Sequence, residues 1–387
     1  MKNKRILAFT SIRSDYDLMS PLYKLLHNDP NMEFKILVSG AHLSETYGCS
    51  VDLIKQDGFD ILSEIETLID SNSRRSRLKS ASLLLQNMID VVSQYNPDLI
   101  LYAGDREDAL MCATLGGYLA IPTVHFYGGD HSQDGYIDNT VRHSISKLST
   151  FHIVSTEEHK QRLLKMGESV SRIVVTGSVA LDNFIQEAKG TVKEIMGVFK
   201  ISKDIRDYAI LIFHPILNDY AQSEQIFTNI LDVLSEQKIK TFVSYPNTDP
   251  GNKKIIEVIN KYIKNDNFVF YKNLERAVFI KLFKNASFII GNSSAGILEA
   301  ASIPIPTINV GKRQIGRYAG KNVVFSAIDI KAIENSILKA TSVEFLQNII
   351  DMKNPYGNGM SAAKAYEIIV NTDFGELLLK TEDPLNG

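Results

Sequence analysis

Cysteine is scarce in this chain: two occur among 387 residues, Cys49 and Cys112, both in stretches that read as ordinary helix or loop. That excludes a disulfide framework and leaves free, buried or half-buried thiols. Long apolar runs are missing too, and none approaches the roughly 20 residues of a membrane helix. The opening MKNKRILAFTSIRSD is basic and then apolar too briefly for a signal peptide. A soluble, cytoplasmic protein is the expectation. No charge of one sign dominates, with 42 Lys and Arg against 45 Asp and Glu, a net charge of −3 and a pI near 6.3. Nothing therefore draws the whole surface to nucleic acid or to an anionic membrane, and any anionic ligand needs local cations. No Cys/His cluster and no HExxH occur, which argues against a zinc site.

What is present is ordinary for a soluble protein with a full core, 44% hydrophobic and 22% charged, at a length that suggests two domains. Strand-like runs alternate with amphipathic helical segments, the pattern of a mostly parallel sheet. One series covers residues 5–9, 34–38, 97–102, 123–126, 151–154 and 172–175; a second covers 209–213, 241–244, 268–270, 287–290 and 307–310. Between them GSVALDNFIQEAKGTVKEIMG is polar and helical, a candidate interdomain connection. The halves echo each other: PDLILYAGDR, a helix and AIPTVHFYGG against NASFIIGNSS, a helix and SIPIPTINVG. No fixed short period marks a solenoid. The reading is an α/β chain of two Rossmann-like, doubly wound parallel-sheet domains, with the ligand in the cleft they form.

Acids end two strand-like runs, Asp105 after LILYAG and Asp130 after HFYGG, and Asp138 stands four residues before Arg142. Carboxyl ends of parallel strands are where open α/β sheets bind ligands. Three carboxylates exceed what phosphate binding needs and suggest proton transfer. The bland alternatives are a surface pair of Asp105 with Arg106 and an i, i+4 bridge of Asp138 with Arg142. The turns at Ala103–Gly104 and Gly128–Gly129 favour the functional reading, since glycine lets a ligand approach the backbone. In GNSSAGILEA an apolar run stops at Ser293 and Ser294, and a helix opens at once. That makes either an anion site at a helix start or simple N-capping. No Gly-Lys-Ser/Thr follows, so it is not a Walker loop. VGKRQIGR carries three cations, a solvated loop or a phosphate clamp by Arg313. Arg13 sits in the 10–15 loop after the first strand. His214 follows AILIF and could bond a phosphate, whereas His125, inside TVHFY, could equally be a satisfied core residue. His143 and His152 show no metal-ligand spacing.

Taken in order, TSIRSDYDLMSPL, GDRED, HFYGGD, IDNTVRHSISKLS, RIVVTGSVALD, FHP, GNSSAGILEA and NVGKRQIGR resemble the hydrolysing UDP-N-acetylglucosamine 2-epimerases, in their sialic- and legionaminic-acid branch. The resemblance spans nearly the whole chain. It implies a GT-B-like pair of Rossmann domains, here 1–182 completed by a carboxyl-terminal helix over 366–387, and 183–365. It implies a UDP- or GDP-sugar substrate, no metal or other cofactor, and a homodimer or homotetramer. The implied reaction removes the sugar's carbon 2 proton, expels the nucleoside diphosphate anti to it, and adds water to the glycal. By the same resemblance Asp105, Asp130 and Asp138, with Arg142, take catalytic positions, and His214 contacts the diphosphate. Arg13, Arg313, Ser293, Ser294 and Gly296 fall in its phosphate-binding motifs, and Glu299 hydrogen-bonds the ribose. Two departures stand out. Asp130 replaces the family's glutamate and reaches about one methylene less, and the HSQDGYIDN loop is longer than the family pattern. Both fall where the sugar should sit, so a 4-acetamido-6-deoxy sugar of bacillosamine type is expected. A non-hydrolysing epimerase, a GT-B glycosyltransferase and a catalytically silent nucleotide-sugar sensor are the competing readings.

Overall fold

The computed structural model describes residues 3–71, 73–132, 137–201, 205, 207–216, 220–246, 251–272, 274–383 and 385. The first sheet consists of β1 (Lys4–Thr10), β2 (Met32–Ser39), β3 (Ile61–Ile65), β4 (Leu99–Ala103), β5 (Thr123–Phe126), β6 (Phe151–Val154) and β7 (Ile173–Val175). Its strands lie in the order β3-β2-β1-β4-β5-β6-β7, and every pairing is parallel. The second sheet holds β8 (Ala209–Ile212), β9 (Thr241–Ser244), β10 (Phe268–Tyr271), β11 (Phe288–Gly291), β12 (Thr307–Val310) and β13 (Val323–Ser326). It is also parallel throughout, in the order β10-β9-β8-β11-β12-β13.

Central strands such as LILYA (β4) and AILI (β8) are buried at every position, because helices cover both faces of a parallel sheet. Alternation along each strand divides the cores. Ile6 and Ala8 of β1 join one cluster while Leu7 and Phe9 join another, and in β8 Ala209 and Leu211 separate from Ile210 and Ile212 in the same way. Each fully buried Leu- or Ile-sized side chain contributes roughly 1.5–3 kcal/mol. In each sheet the strand order reverses once, between β1 and β4 and between β8 and β11, so the loops leaving those strands diverge and open a crevice.

β3 and β13 carry no strand signal in the readings above. Both are edge strands with partly exposed faces, so the apolar run that marks a central strand is diluted in them. The segment read as a polar, helical connection is helical over Ala180–Gln186 and Val192–Val198, but it is not polar throughout: Phe184, Ile195 and Met196 are buried in the second core. Two compact units divide the chain: one runs to Asp130, includes Ile137–Asp182 and resumes at Gly359, while Asn183–Asn358 form the bulk of the other. The helix expected over 366–387 runs over Ser361–Asn371. The Asp182 carboxylate starts it, accepting from the N–H groups of Ser361 (3.1 Å) and Ala362 (2.7 Å). Beyond the helix the described residues are irregular. Buried Arg172 pins them there through the Leu377 and Leu379 carbonyls and the Glu382 carboxylate. Among the described residues no helix is long and apolar enough to cross a membrane.

Candidate active site

In the first unit the turn after β4 carries Asp105. Gly104 takes a φ of +91°, a left-handed conformation that favours glycine, and its N–H donates to the Phe126 carbonyl at 3.1 Å. The Asp105 carboxylate forms an ion pair with the Arg142 guanidinium, which is only 3% exposed. Arg142 also donates to the Asp130 carbonyl at 3.0 Å and to Asn139 Oδ1 at 3.2 Å. The helical bridge to Asp138 is therefore not the one formed. Arg142 instead binds the ends of two neighbouring strands together, with Asp138 opening its own helix, Asp138–Leu148. Burial, and then the charge of Asp105, push the Asp138 carboxyl above the usual carboxylate range, against Arg77, Arg106 and Arg142. The Asp130 carboxylate lies 3.5 Å from His159 Nε2, while Arg162 donates to the preceding Gly129 carbonyl. One guanidinium thus meets Asp105 through its carboxylate, Asp130 through its carbonyl and Asp138 through charge alone.

The glycines divide into two kinds. A Cβ on Gly104 would meet nothing within 4 Å, which keeps the ligand-approach reading for that turn. A Cβ on Gly129 would lie 2.3 Å from the His159 carbonyl, and one on Gly128 would lie 3.0 Å from both His125 Nδ1 and Ser146 Oγ. These two glycines serve protein packing, not ligand approach.

Arg13 is not in a loop. The helix Arg13–His27 starts with it, and its guanidinium lies 3.6 Å from Asp17. In the same first turn stands Asp15, which no sequence motif singles out. Burial raises its carboxyl to about 7, with Arg106 opposing and Asp108 and Asp105 adding to the rise. Asp108 is itself raised by burial and accepts a 2.6 Å hydrogen bond from Ser11 Oγ. The signal was present in SIRSD and GDRED, but only the adjacency of β1 and β4 unites the two acidic turns.

A stability consequence follows. Asp15 titrates near 7 when folded and near 4 when unfolded, so in that interval the native state binds the extra proton. Its ionisation opposes folding, and stability declines as pH rises from about 4 to about 7. Asp15→Asn should remove that decline, with a gain on the order of 1–2 kcal/mol at pH 8 for this half-buried, partly screened site. The gain should shrink toward pH 4. Urea midpoints of both proteins at pH 4.5 and pH 8 test this; an equal gap at both values would exclude Asp15 as the cause.

In the second unit β8 runs into Phe213 and His214, and β11 ends at Gly291, whose φ is +132° and whose Cβ would lie 2.1 Å from the Ile212 carbonyl. The next residue, Asn292, is fully buried. Its Oδ1 accepts from the His214 N–H and its Nδ2 donates to the His214 carbonyl, both at 2.8 Å. Its own carbonyl accepts from Arg313 Nη1 and Gln314 Nε2, each at 2.9 Å. One asparagine thereby gathers the loops after β8, β11 and β12, bringing His214 and Arg313 to the serine turn. Neither Asn292 nor Gln314 was singled out from the sequence.

The helix after that turn is shorter than expected. Ala295–Leu298 is a single turn, followed by a 3₁₀ turn at Ala300–Ser302, so too few peptide dipoles align for a substantial helix field. Capping is also slight: Ser293 Oγ accepts from the Ala295 N–H at 3.3 Å, and Ser294 makes no cap bond. Gly296 answers to packing, since its Cβ would lie 2.6 Å from Thr307 Cγ2 of β12. Burial raises the Glu299 carboxyl, with Arg276 opposing, and its buried Oε2 makes no hydrogen bond among the described residues.

The first unit gathers carboxyl groups beside cations, and the second brings Arg313 and His214 to the serine turn. Among the described residues no group of three His, Cys, Asp or Glu is placed to hold a metal. Residues 133–136, in the loop read as lengthened, lie outside the described residues.

Residues 24–370 match the family described as UDP-N-acetylglucosamine 2-epimerase. A UDP-N,N'-diacetylbacillosamine 2-epimerase (hydrolyzing) of Legionella pneumophila is 33% identical over 366 residues, covering 95% of each chain. A UDP-N-acetylglucosamine 2-epimerase of Neisseria meningitidis serogroup B is 31% identical, covering 88% of each. The crystal structure of a UDP-GlcNAc 2-epimerase from Neisseria meningitidis, bound to UDP-GlcNAc, superimposes with a TM-score of 0.82 at 18% identity over 95% of this chain and all of that one. The fold is the GT-B-like pair of Rossmann-like domains.

Proposed function

This chain belongs to the UDP-N-acetylglucosamine 2-epimerase family, and from that premise we propose that it is a hydrolysing 2-epimerase of a UDP-activated N-acetyl sugar. The observation that carries the proposal is the gathering of Asp105, Asp130 and Asp138 around the buried Arg142. A carboxylate of this group takes the carbon 2 proton while the carbon 1–oxygen bond to UDP breaks, leaving a glycal with a carbon 1–carbon 2 double bond. Water then gives its hydroxyl to carbon 1, a carboxylic acid returns a proton to carbon 2 from the opposite face, and the carboxylate so formed takes the water's remaining proton. UDP and the free manno-configured sugar leave. Asp138, biased toward its protonated form by burial, suits the proton-returning half. The carbon 2 proton is weakly acidic, so departure of the diphosphate shares the barrier. Arg313, Arg13, His214, Ser293 and Ser294 take the diphosphate's charge in this reading, and Glu299 takes the ribose.

The sugar we assign is 2,4-diacetamido-2,4,6-trideoxyglucose, its product a precursor for nonulosonic acids. Support comes from the name of the Legionella relative and from the short side chain of Asp130. Turnover in deuterium oxide with UDP-GlcNAc, with the UDP-diacetamido sugar and with its GDP counterpart tests each part. Deuterium at carbon 2 of a released free sugar, together with free UDP, is the expected result. A product still bearing UDP points to the non-hydrolysing reaction, and no deuterium in any product overturns the reading. A larger kcat/KM for UDP-GlcNAc sinks the sugar assignment alone.

A further inference from the structure

His125 lies in β5 with no exposed surface. Its Nε2 is 2.8 Å from the Gly104 carbonyl and its Nδ1 is 3.1 Å from Ser146 Oγ. A carbonyl only accepts, so Nε2 carries the hydrogen. In a neutral ring Nδ1 is then an acceptor, and the Ser146 hydroxyl donates to it. Burial lowers this imidazole to about 3, which keeps it neutral at any working pH. The groups facing the ring are Tyr102 of β4 at 5.9 Å between centroids, His152 of β6 at 6.5 Å, and the charges of Arg142 and Asp105.

The two residues that His125 grips are the neighbours of the ion pair. Gly104 directly precedes Asp105. Ser146 follows Arg142 by one helical turn, and the one hydrogen of its hydroxyl is shared between His125 Nδ1 and the Arg142 carbonyl, both 3.1 Å away. Gly128 belongs to the same arrangement, since a Cβ there would crowd both His125 Nδ1 and Ser146 Oγ at 3.0 Å. A core histidine that only filled space would need neither bond. This one ties the Asp105 turn to the Arg142 helix.

We propose that His125 is a positioning residue for the 2-epimerase reaction, holding Asp105 and Arg142 in register through Gly104 and Ser146, with Gly128 leaving room for the His125–Ser146 bond. The inference rests on the function proposed above and adds to it residues that do not touch substrate. A displacement on the order of 1 Å in a reacting group lowers a rate by about a hundredfold, which sets the scale of the effect.

Four single variants and one double variant test it with the nucleotide sugar that the wild type hydrolyses. Ser146→Ala and Gly128→Ala should each lower kcat about tenfold with KM nearly constant, and the double variant should be little worse than either, because both act on one bond. His125→Leu should lose about a hundredfold or more, and His125→Gln, whose amide can still donate to the Gly104 carbonyl, should recover part of that loss. A less firmly placed Arg142 stabilises the Asp105 carboxylate less, so the acid limb of the kcat–pH profile should move to higher pH in Ser146→Ala. Folded variants with wild-type kcat overturn the proposal, as do kcat losses that multiply in the double variant with an unmoved acid limb. A wild type that releases no UDP from any nucleotide sugar instead fails the functional reading beneath it.

Discussion

Arg142→Met is expected to abolish detectable turnover and to lower stability by about 2–3 kcal/mol. The guanidinium is 3% exposed and holds the Asp105 carboxylate, the Asp130 carbonyl and the Asn139 side chain. Removing one partner of a buried ion pair costs about 3–5 kcal/mol, because the other charge is left uncompensated. The Asp105 side chain is 28% exposed, so water recovers part of that penalty and the lower figure applies. The catalytic loss should be larger, about a thousandfold or more in kcat, since the variant frees two of the three carboxyl-bearing turns at once. Lysine should not rescue it, because an ammonium cannot reproduce a planar fork with three separate acceptors. Asp105→Asn should lose activity comparably and unfold at least as readily, because it leaves the Arg142 guanidinium, the more buried partner, without its counter-charge. Urea denaturation and a UDP-release assay on the three variants decide the matter. An Arg142→Met enzyme retaining a tenth of wild-type kcat would remove this guanidinium from the active site.

Asn292→Leu should act on the nucleotide side with comparable force. The side chain makes two 2.8 Å hydrogen bonds to the backbone of His214. Leucine fills similar space and replaces neither hydrogen bond, a loss toward the lower end of about 1–3 kcal/mol each at this half-buried backbone. The loop bearing His214 would then lose its tie to the turn that receives Arg313 and Gln314. UDP affinity, measured by calorimetry, should fall by about two orders of magnitude, the equivalent of roughly 2.7 kcal/mol. Asn292→Asp keeps the acceptor and loses the donor, and should fall between the two. Wild-type UDP affinity in a folded Asn292→Leu protein would contradict a nucleotide role for this junction.

Legibility in the sequence followed burial and locality. Thr123–Phe126, Phe151–Val154, Thr241–Ser244 and Thr307–Val310 were readable to the residue, because interior strands of a parallel sheet are apolar without interruption. Edge strands β3 and β13 lack that signature and were missed. Asp105, Asp130 and Asp138 could be found because each lies within a few residues of its strand end or helix start, a local relation.

Their partners could not be found that way. The sequence offered Arg142 to Asp138 at i−4, and the fold gave it to Asp105 on the neighbouring strand's turn. Capping of the last helix by Asp182, the gathering of three loops by Asn292, and the meeting of the Asp15 and Asp108 turns all join segments distant in sequence. By itself the sequence determined the α/β class, two parallel sheets and the carboxylates at strand ends, because hydrophobic periodicity and strand termini are written along the chain. Tertiary structure alone decided which acid meets which cation, which glycines face protein and how short the helix after Ser294 is. Those depend on strand order and on packing between residues that only the fold brings within hydrogen-bond reach.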